Sequence, residues 1–538
     1  MSKINKLLLL CLVLLTGVPA SAQNNDETPM LTIWTNRYQQ YGDENVFQMS
    51  MTALQSLGHT NVEVDFGYGR QPFVISSDAN LGEDADNEVV TGGSLISGSV
   101  GPEGVVRVYG DPTSIDYLDC HGSNVTAVDI SLLTNLAIFE CGHNEIVTLN
   151  TSGLTYLEYL DVKDNPFTQG LFLGEHNFLK YLNVNQLGDR ALDNVAGILN
   201  VSRYPALNIF TAWDSHCLRS IDVTGCPNLI QLSIDNTGVT SLDLSGNPYL
   251  RILNISDCGF QNIDLSHNEY LIELYADNQG QETNDRKLSA LDLSHNTYLQ
   301  RITCSGNNLT SIDISKQWNL VTLEAHHNHL SRIDGIDCSL PQGERPDSLA
   351  YLGVTYNNFD FTTLPMVDPR TEFEYESQFE LPVEKEYGVG EAGKLDLSRY
   401  ILREGTSTAV ALAGIARDGF SYDYQLVDGE DFVFDEETGV ITFLKAQNDS
   451  VQVACFNDVF NGVVLLTQKF LVRSAEDYGT PVERFNVIPS IHTNAKIGVT
   501  TREDETLYVD FGDGNRHEFN TEGGVPTVLT GTAVGAVR

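Results

Sequence analysis

Leu299 to Ser315 reads LQRITCSGNNLTSIDIS, and Leu250 to Asn268 reads LRILNISDCGFQNIDLSHN. Aligned on Ile302 and Leu253, both stretches carry an apolar or cysteine residue two positions later. The same frame extends in both directions. Leu118, Phe139, Leu160, Leu182, Phe210, Leu232, Leu253, Leu274, Ile302, Leu323 and Leu352 form one column, with steps of 21, 21, 22, 28, 22, 21, 21, 28, 21 and 29 residues. A second apolar column follows two residues after each anchor: Cys120, Cys141, Val162, Val184, Ala212, Ile234, Ile255, Ala276, Cys304, Ala325 and Val354. A third, five after the anchor, often holds Asn, as at Asn144, Asn165, Asn307, Asn328 and Asn357.

The frame L-x-x-L-x-L-x-x-N/C-x-L at a period of about 20–29 residues marks a leucine-rich repeat. Its L-x-L core alternates, so it predicts a short strand with one face in and one face out. The Asn ends the strand, where a buried amide satisfies turn groups that no ladder reaches. One turn cannot bury its own apolar edge, but a stack of turns can. The expected fold is mainly β: a leucine-rich-repeat solenoid of 21-residue repeats with flanking β-sandwich-like domains. Its parallel sheet would be roughly 50 Å across at about 4.8 Å per strand.

LDCHGSNVTAVDIS at 118–131, ITCSGNNLTSIDIS at 302–315 and SLDLSGNPYLRIL at 241–253 resemble the 21-residue repeats of the J-type internalins and similar leucine-rich surface proteins of the Bacteroidetes. Cys120, Cys141 and Cys304 match the cysteine ladder of those proteins. The resemblance covers about half the chain. It implies adhesion or ligand capture, and it carries no shared active site.

The chain has 538 residues and a formal charge of −42, which argues against nucleic acid or an anionic membrane as partner. Residues 1–22 read as a signal peptide. Lys3 and Lys6 precede the apolar run from Leu7 to Leu15, and Ala20-Ser21-Ala22 fits cleavage near Ala22. No later stretch reaches the roughly 18 apolar residues of a membrane span. The expected location is therefore secreted or on the outer cell surface. Cys217 with Cys226 is the one pair worth testing as a disulfide, because export permits such bonds.

Residues 23–114 read as a β-rich cap on the open end of the solenoid. Within them, Val62 to Phe66 predicts a strand, Gly67-Tyr68-Gly69 a tight turn, and Leu81 to Glu88 an acidic loop. The repeats occupy 115–364, with insertions between Leu182 and Phe210, at 279–287 and from Gly335 to Asp347. A Pro-containing joint follows. Residues 365–475 suggest an immunoglobulin-like β domain, with a hairpin from Phe432 to Phe443 and strands at Val451–Val453 and from Val463 to Val472. Residues 476–538 read as a partial PKD-like module, because VDFGDG at 509–514 echoes VDFGYG at 64–69. The last segment is either a truncated copy or an attachment piece.

Function is sought on the concave face, at the positions one before, one after and three after each anchor. The candidate ligand-binding residues are Tyr117, Tyr159, Asp161, Tyr181, Trp213, Asp235, Tyr275, Asp277, Glu324, His326 and Tyr351. Tyr and Trp supply large rigid contacts at binding hot spots, and aromatics beside Asp and Asn also suit sugars. The plainer reading is that these side chains pair across strands. A further column, Asp129, Asp222, Asp243, Asp264, Asp292, Asp313 and Asp334, suits capping of turn N–H groups better than calcium.

His326, His327 and His329 do not share a face and have no partner at ligand spacing, so no metal is expected. No cofactor is expected, and no H-E-x-x-H, G-x-S-x-G or P-loop occurs. The acids Asp161, Asp235, Glu273 and Glu324 are spread along the sheet rather than paired at a cleft. The expectation is a non-enzymatic surface protein that binds a protein or glycan on a host or neighbouring cell. A carbohydrate-binding or weakly hydrolytic protein is one alternative, and a structural surface component is another.

Overall fold

In the computed structural model, the described residues are 28–37, 45–78, 80–83, 89–187, 198–279, 287–337, 345–390, 393–415, 422–474, 494–499, 505–509, 517–521 and 527–532. The expected signal peptide lies outside them, as do most of the three insertions and residues 510–516 of the second VDFG string. The chain divides into two compact units, Met1–Phe379 and Glu380–Arg538.

In the first unit Leu118 lies in the strand Ile115–Asp119, and each later anchor is central to a three-residue strand, such as Ile138–Glu140, Tyr159–Asp161 and Arg301–Thr303. Neighbouring coils pair in parallel with anchor opposite anchor: Leu118 with Phe139, Phe139 with Leu160, and so on to Leu323 with Leu352. The strands belong to one 14-stranded sheet. Every anchor is completely buried, and the second column is buried with it. Each such Leu removed from water contributes about 1.5–3 kcal/mol, so the stack supplies the core that no single turn has.

The sheet continues beyond the expected boundary at 364. Glu372–Glu374 pairs with Tyr351–Gly353, and Phe373 lies opposite Leu352. Pro365 falls in the connecting turn rather than at a joint. The reason is legible in the step from Leu352 to Phe373, which keeps the repeat, and in Gln378, which replaces the ladder Asn. Its Nε2 donates to the Val354 and Tyr375 carbonyls at 3.0 and 2.7 Å.

The Asn column forms a buried ladder. Asn307 Nδ2 donates to the Ala276 and Cys304 carbonyls at 2.8 and 3.0 Å, and its Oδ1 accepts from Leu288 N at 3.1 Å. Asn144, Asn165, Asn328 and Asn357 repeat the pattern, and the Cys258 thiol replaces it by donating to the Ile234 carbonyl at 3.1 Å. A second ladder lies six residues before the anchors. Asn247, Asn268, Asn296 and Gln317 donate there to carbonyls of the preceding coil, and the Cys226 thiol donates to the Val201 carbonyl at 3.2 Å. No disulfide joins Cys217 and Cys226. Burying the Cys226 thiol as a rung of this ladder replaces the bond considered from the sequence.

Four residues after each anchor, one beyond the last face-directed position, the backbone turns left-handed in coil after coil. Gly122, His143, Asp164, Gln186, Asp214, Asn236, Asp257, Asn278, Gly306, His327, Tyr356 and Ser377 all have φ between +49° and +70°. Asp, Asn and Gly tolerate this region best. This corner delivers the next residue into the ladder position. At Gly306 an added Cβ would also meet the Asn278 side chain.

The cap closes both sides of the first coil. Val46–Ala53 pairs antiparallel with Ile115–Asp119 and with Ser94–Ser99. On the opposite side Leu31–Thr35 pairs with Val125–Asp129 and with Val105–Tyr109. Phe47, Met49, Met51, Ile33 and Phe66 are buried between them. The expected turn after the strand His59–Asp65 is present, with Asp65 Oδ1 accepting from Gly67 N and Gly69 N at 2.7 and 3.0 Å. The acidic stretch from Leu81 begins as a strand rather than a loop, because Asn80–Glu83 pairs with Val89–Gly92.

In the second unit, Thr408–Ile415 pairs with Tyr422–Gln425 and Ser450–Asn457, and Phe432–Asp435 forms the expected hairpin with Val440–Phe443. Tyr387, Phe443 and Phe470 pack ring against ring at 5.0–6.1 Å. The strand expected from Val463 to Val472 is broken into Val464–Leu466 and Leu471–Arg473. Buried Thr467 breaks it, its Oγ1 accepting from Val453 N and its carbonyl from Gln452 Nε2. Nearer the end, Asn494–Val499 pairs with Thr527–Thr532 and Glu505–Val509 with His517–Thr521.

Candidate ligand-binding face

The long sheet directs the residues beside each anchor to its outer face, as the alternation requires. The face has two grades of exposure. Near the cap, Tyr117 is 2% exposed, Asp161 6% and Tyr159 9%, so these three expected contact residues form the floor of the face. Tyr159 stacks on Tyr181 at 4.2 Å, and Tyr117 Oη donates to Glu140 Oε2 at 3.3 Å. Asp161 accepts from Asn183 Nδ2 at 3.1 Å and from Lys163 N at 3.0 Å. Farther along, Tyr181, Trp213, Asp235, Tyr275, Asp277, Glu324, His326 and Tyr351 are all half-buried.

Several of these are held in place by neighbours on the same face. Tyr275 Oη donates to Glu273 Oε2 at 2.7 Å, and Arg301 pairs with Glu324 at 3.2 Å. Asp277 accepts from Thr303 Oγ1 and Ser305 N at 2.5 and 2.6 Å. His326 Nδ1 lies 2.8 Å from Thr355 Oγ1, and its Nε2 lies 3.3 Å from Tyr351 Oη. Burial lowers the His326 pKa, against the pull of Glu374 and Glu324. His327 instead occupies the left-handed corner and stacks on Tyr356 at 4.3 Å, so the three histidines do not converge.

The parallel register also sets Asp119, Glu140 and Asp161 on consecutive strands. Burial, then the charges of Asp119 and Asp161, push the Glu140 carboxyl up to about 8. Asp235 is raised to about 6, chiefly by burial. Asp119, His121 and Glu140 have ligand atoms within 4.8 Å of one another, close enough to share a divalent ion. The spacing along the chain hides this group, because its members come from two coils. The recurrence of acids one after the anchor is the signal that exposes it.

The Asp column on the other edge behaves as caps. Asp243 Oδ1 accepts from Ser245 N and Oγ at 3.0 and 2.6 Å, and Asp222 does the same with Thr224. These bonds, largest first from the side chain, lower the pKa of both carboxyls. An aromatic column absent from the sequence reading lies four residues before the anchors. Tyr249, Tyr270 and Tyr298 stack at 6.1 and 5.8 Å, and Tyr156 stacks on Phe178 at 6.2 Å.

No protein-family model matches this chain, and no curated protein does. Among solved structures, the chain is similar to a leucine-rich-repeat protein of Leptospira interrogans, with 17% identity and a TM-score of 0.36 over 48% of this chain and 64% of that one. It therefore spans less than two thirds of that protein. A second similar structure is the functional domain of InlJ from Listeria monocytogenes, described as including a cysteine ladder. It has 19% identity and a TM-score of 0.31 over 67% of this chain and 91% of that one. A third is YopM from Yersinia enterocolitica, with 16% identity and a TM-score of 0.20 over 50% and 80% of the two chains. The architecture of the first unit is a leucine-rich-repeat solenoid, a stack of parallel coils on a buried column of anchors.

Proposed function

We propose that this is an exported surface protein that uses the outer face of its long sheet to bind a protein or glycan on another cell, without catalysis. The observation that carries the reading is the row of half-buried Trp213, Tyr181, Tyr275 and Tyr351 on a rigid sheet whose inner face is completely packed. Aromatic side chains lose little entropy when they dock, and they dominate interface energetics. Such proteins act in adhesion, host interaction or biofilm formation. The immunoglobulin-like and PKD-like readings of the second unit fit a spacer between the binding face and the cell.

Replacing Trp213, Tyr181 and Tyr275 together with Ala is expected to abolish adhesion while leaving the far-UV spectrum unchanged. Unchanged adhesion would remove the face from the account.

One observation favours a second reading, glycan hydrolysis. Burial and the charges of Asp119 and Asp161 push the Glu140 carboxyl up to about 8, in the direction a general acid requires. Reducing ends released from a glycan by the native protein, and not by Glu140→Gln, would establish that reading. Binding without turnover would reject it.

A further inference from the structure

The outer face and the capping edge are both acidic, but their acids are in different states. On the edge, Asp243 and Asp264 each accept the N–H of the serine two residues on. On the face, carboxylates recur at Glu140, Asp235, Glu273, Asp277, Glu324 and Glu374, and the fixed cations beside the anchors of the described strands are Lys163 and Arg301. Both already pair with acids of the same face, Lys163 with Asp161 at 3.8 Å and Arg301 with Glu324 at 3.2 Å. Burial and neighbouring negative charge raise the pKa of Asp277 and Glu140, as acids packed together on one face require.

A second feature points the same way. Aromatic rings alternate with these carboxylates: Tyr275 Oη is bonded to Glu273, and Tyr351 and Trp213 are half-buried along the same sheet. A ring beside a carboxylate suits a lysine or arginine head, which gains from both the ring face and the charge.

We propose that the ligand of this face is a cationic protein segment, several Lys or Arg side chains long, lying across the coils. The proposal rests on the binding role given above and names the chemistry of the partner. A segment crossing the strands meets a new coil about every 4.8 Å, so its basic side chains can reach acids of successive coils. Its charges neutralise carboxylates that the sheet forces together.

Fluorescein-labelled octalysine, with octaglutamate as control, tests this on the intact protein. The face variant carries Asp235→Asn, Glu273→Gln and Glu324→Gln. The edge variant carries Asp243→Asn, Asp264→Asn and Asp292→Asn, an equal change of charge with the turn caps preserved. The face variant is expected to bind octalysine about tenfold more weakly or worse, and the edge variant within about twofold of the native protein. Equal losses in both variants would mean that the peptide reads only net charge, and would overturn the proposal. So would no loss in either. Should the face variant melt early, Glu273→Gln against Asp264→Asn makes the same comparison one charge at a time. If the aromatic variant loses adhesion while the face variant keeps it, the binding role stands and the cationic partner falls.

Discussion

Asn307 shows how a single side chain is used in this fold. Its amide serves three carbonyls and one N–H from three different stretches of chain, and the side chain is buried. Asn307→Ala leaves these groups unpaired and is expected to cost about 2–3 kcal/mol in denaturant unfolding. Asn268→Ala should cost less. Its Nδ2 serves two carbonyls, but its Oδ1 is buried without a partner. Equal costs would mean that the two ladders do not differ as their bonding suggests.

Glu140 has the opposite effect on stability. Its folded pKa lies near 8, above the ordinary value of 4.5, so the folded state prefers the protonated form. Below the ordinary value the preference costs nothing. As pH rises from there toward 8, folding must increasingly bind a proton or bury a charge, and stability falls. Glu140→Gln is therefore expected to raise the thermal midpoint at pH 8 and to leave it unchanged at pH 4. A midpoint raised equally at both pH values would contradict the electrostatic cause.

At the scale of the element, the coil was readable because its inward columns repeat in register. Leu118, Phe139 and Leu160 fall opposite one another in the sheet as their spacing requires. The Asn ladder was readable for the same reason. The second ladder was not. Its column mixes Leu133, Leu154, His176 and Tyr204 before the Cys, Asn and Gln rungs that run from Cys226 to Gln317. A pattern that changes chemistry midway gives no period to detect.

The left-handed corner was also hidden, since its occupants range from Gly122 to Tyr356. What unites them is a backbone angle, and a side-chain alphabet records that angle weakly. The binding face was legible as a set of outward positions. Which of those positions the cap and cross-strand stacking would bury, as at Tyr117 and Tyr159, depends on contacts between segments far apart in the chain.

At the scale of the whole molecule, the two units answer to different rules. The first is quasi-one-dimensional, each coil touching its neighbours and a cap closing the end. The second combines local hairpins with strands paired over long separations, such as Glu386–Gly388 with Leu471–Arg473. No helix of the described residues is long and apolar enough to cross a membrane.

The first unit's use as a binding platform requires that its columns face inward along its length, and its cysteines report on that directly. Cys120, Cys141 and Cys304 lie in the inner column at 0–1% exposure, and burial raises the pKa of each thiol, while Cys217 is half-exposed. Treatment of the native protein with a water-soluble thiol reagent, followed by mass mapping, measures this. Among the described cysteines, Cys217 should label quickly and the inner column only after denaturation. Prompt labelling of Cys120, Cys141 or Cys304 in the native state would contradict the stacked solenoid.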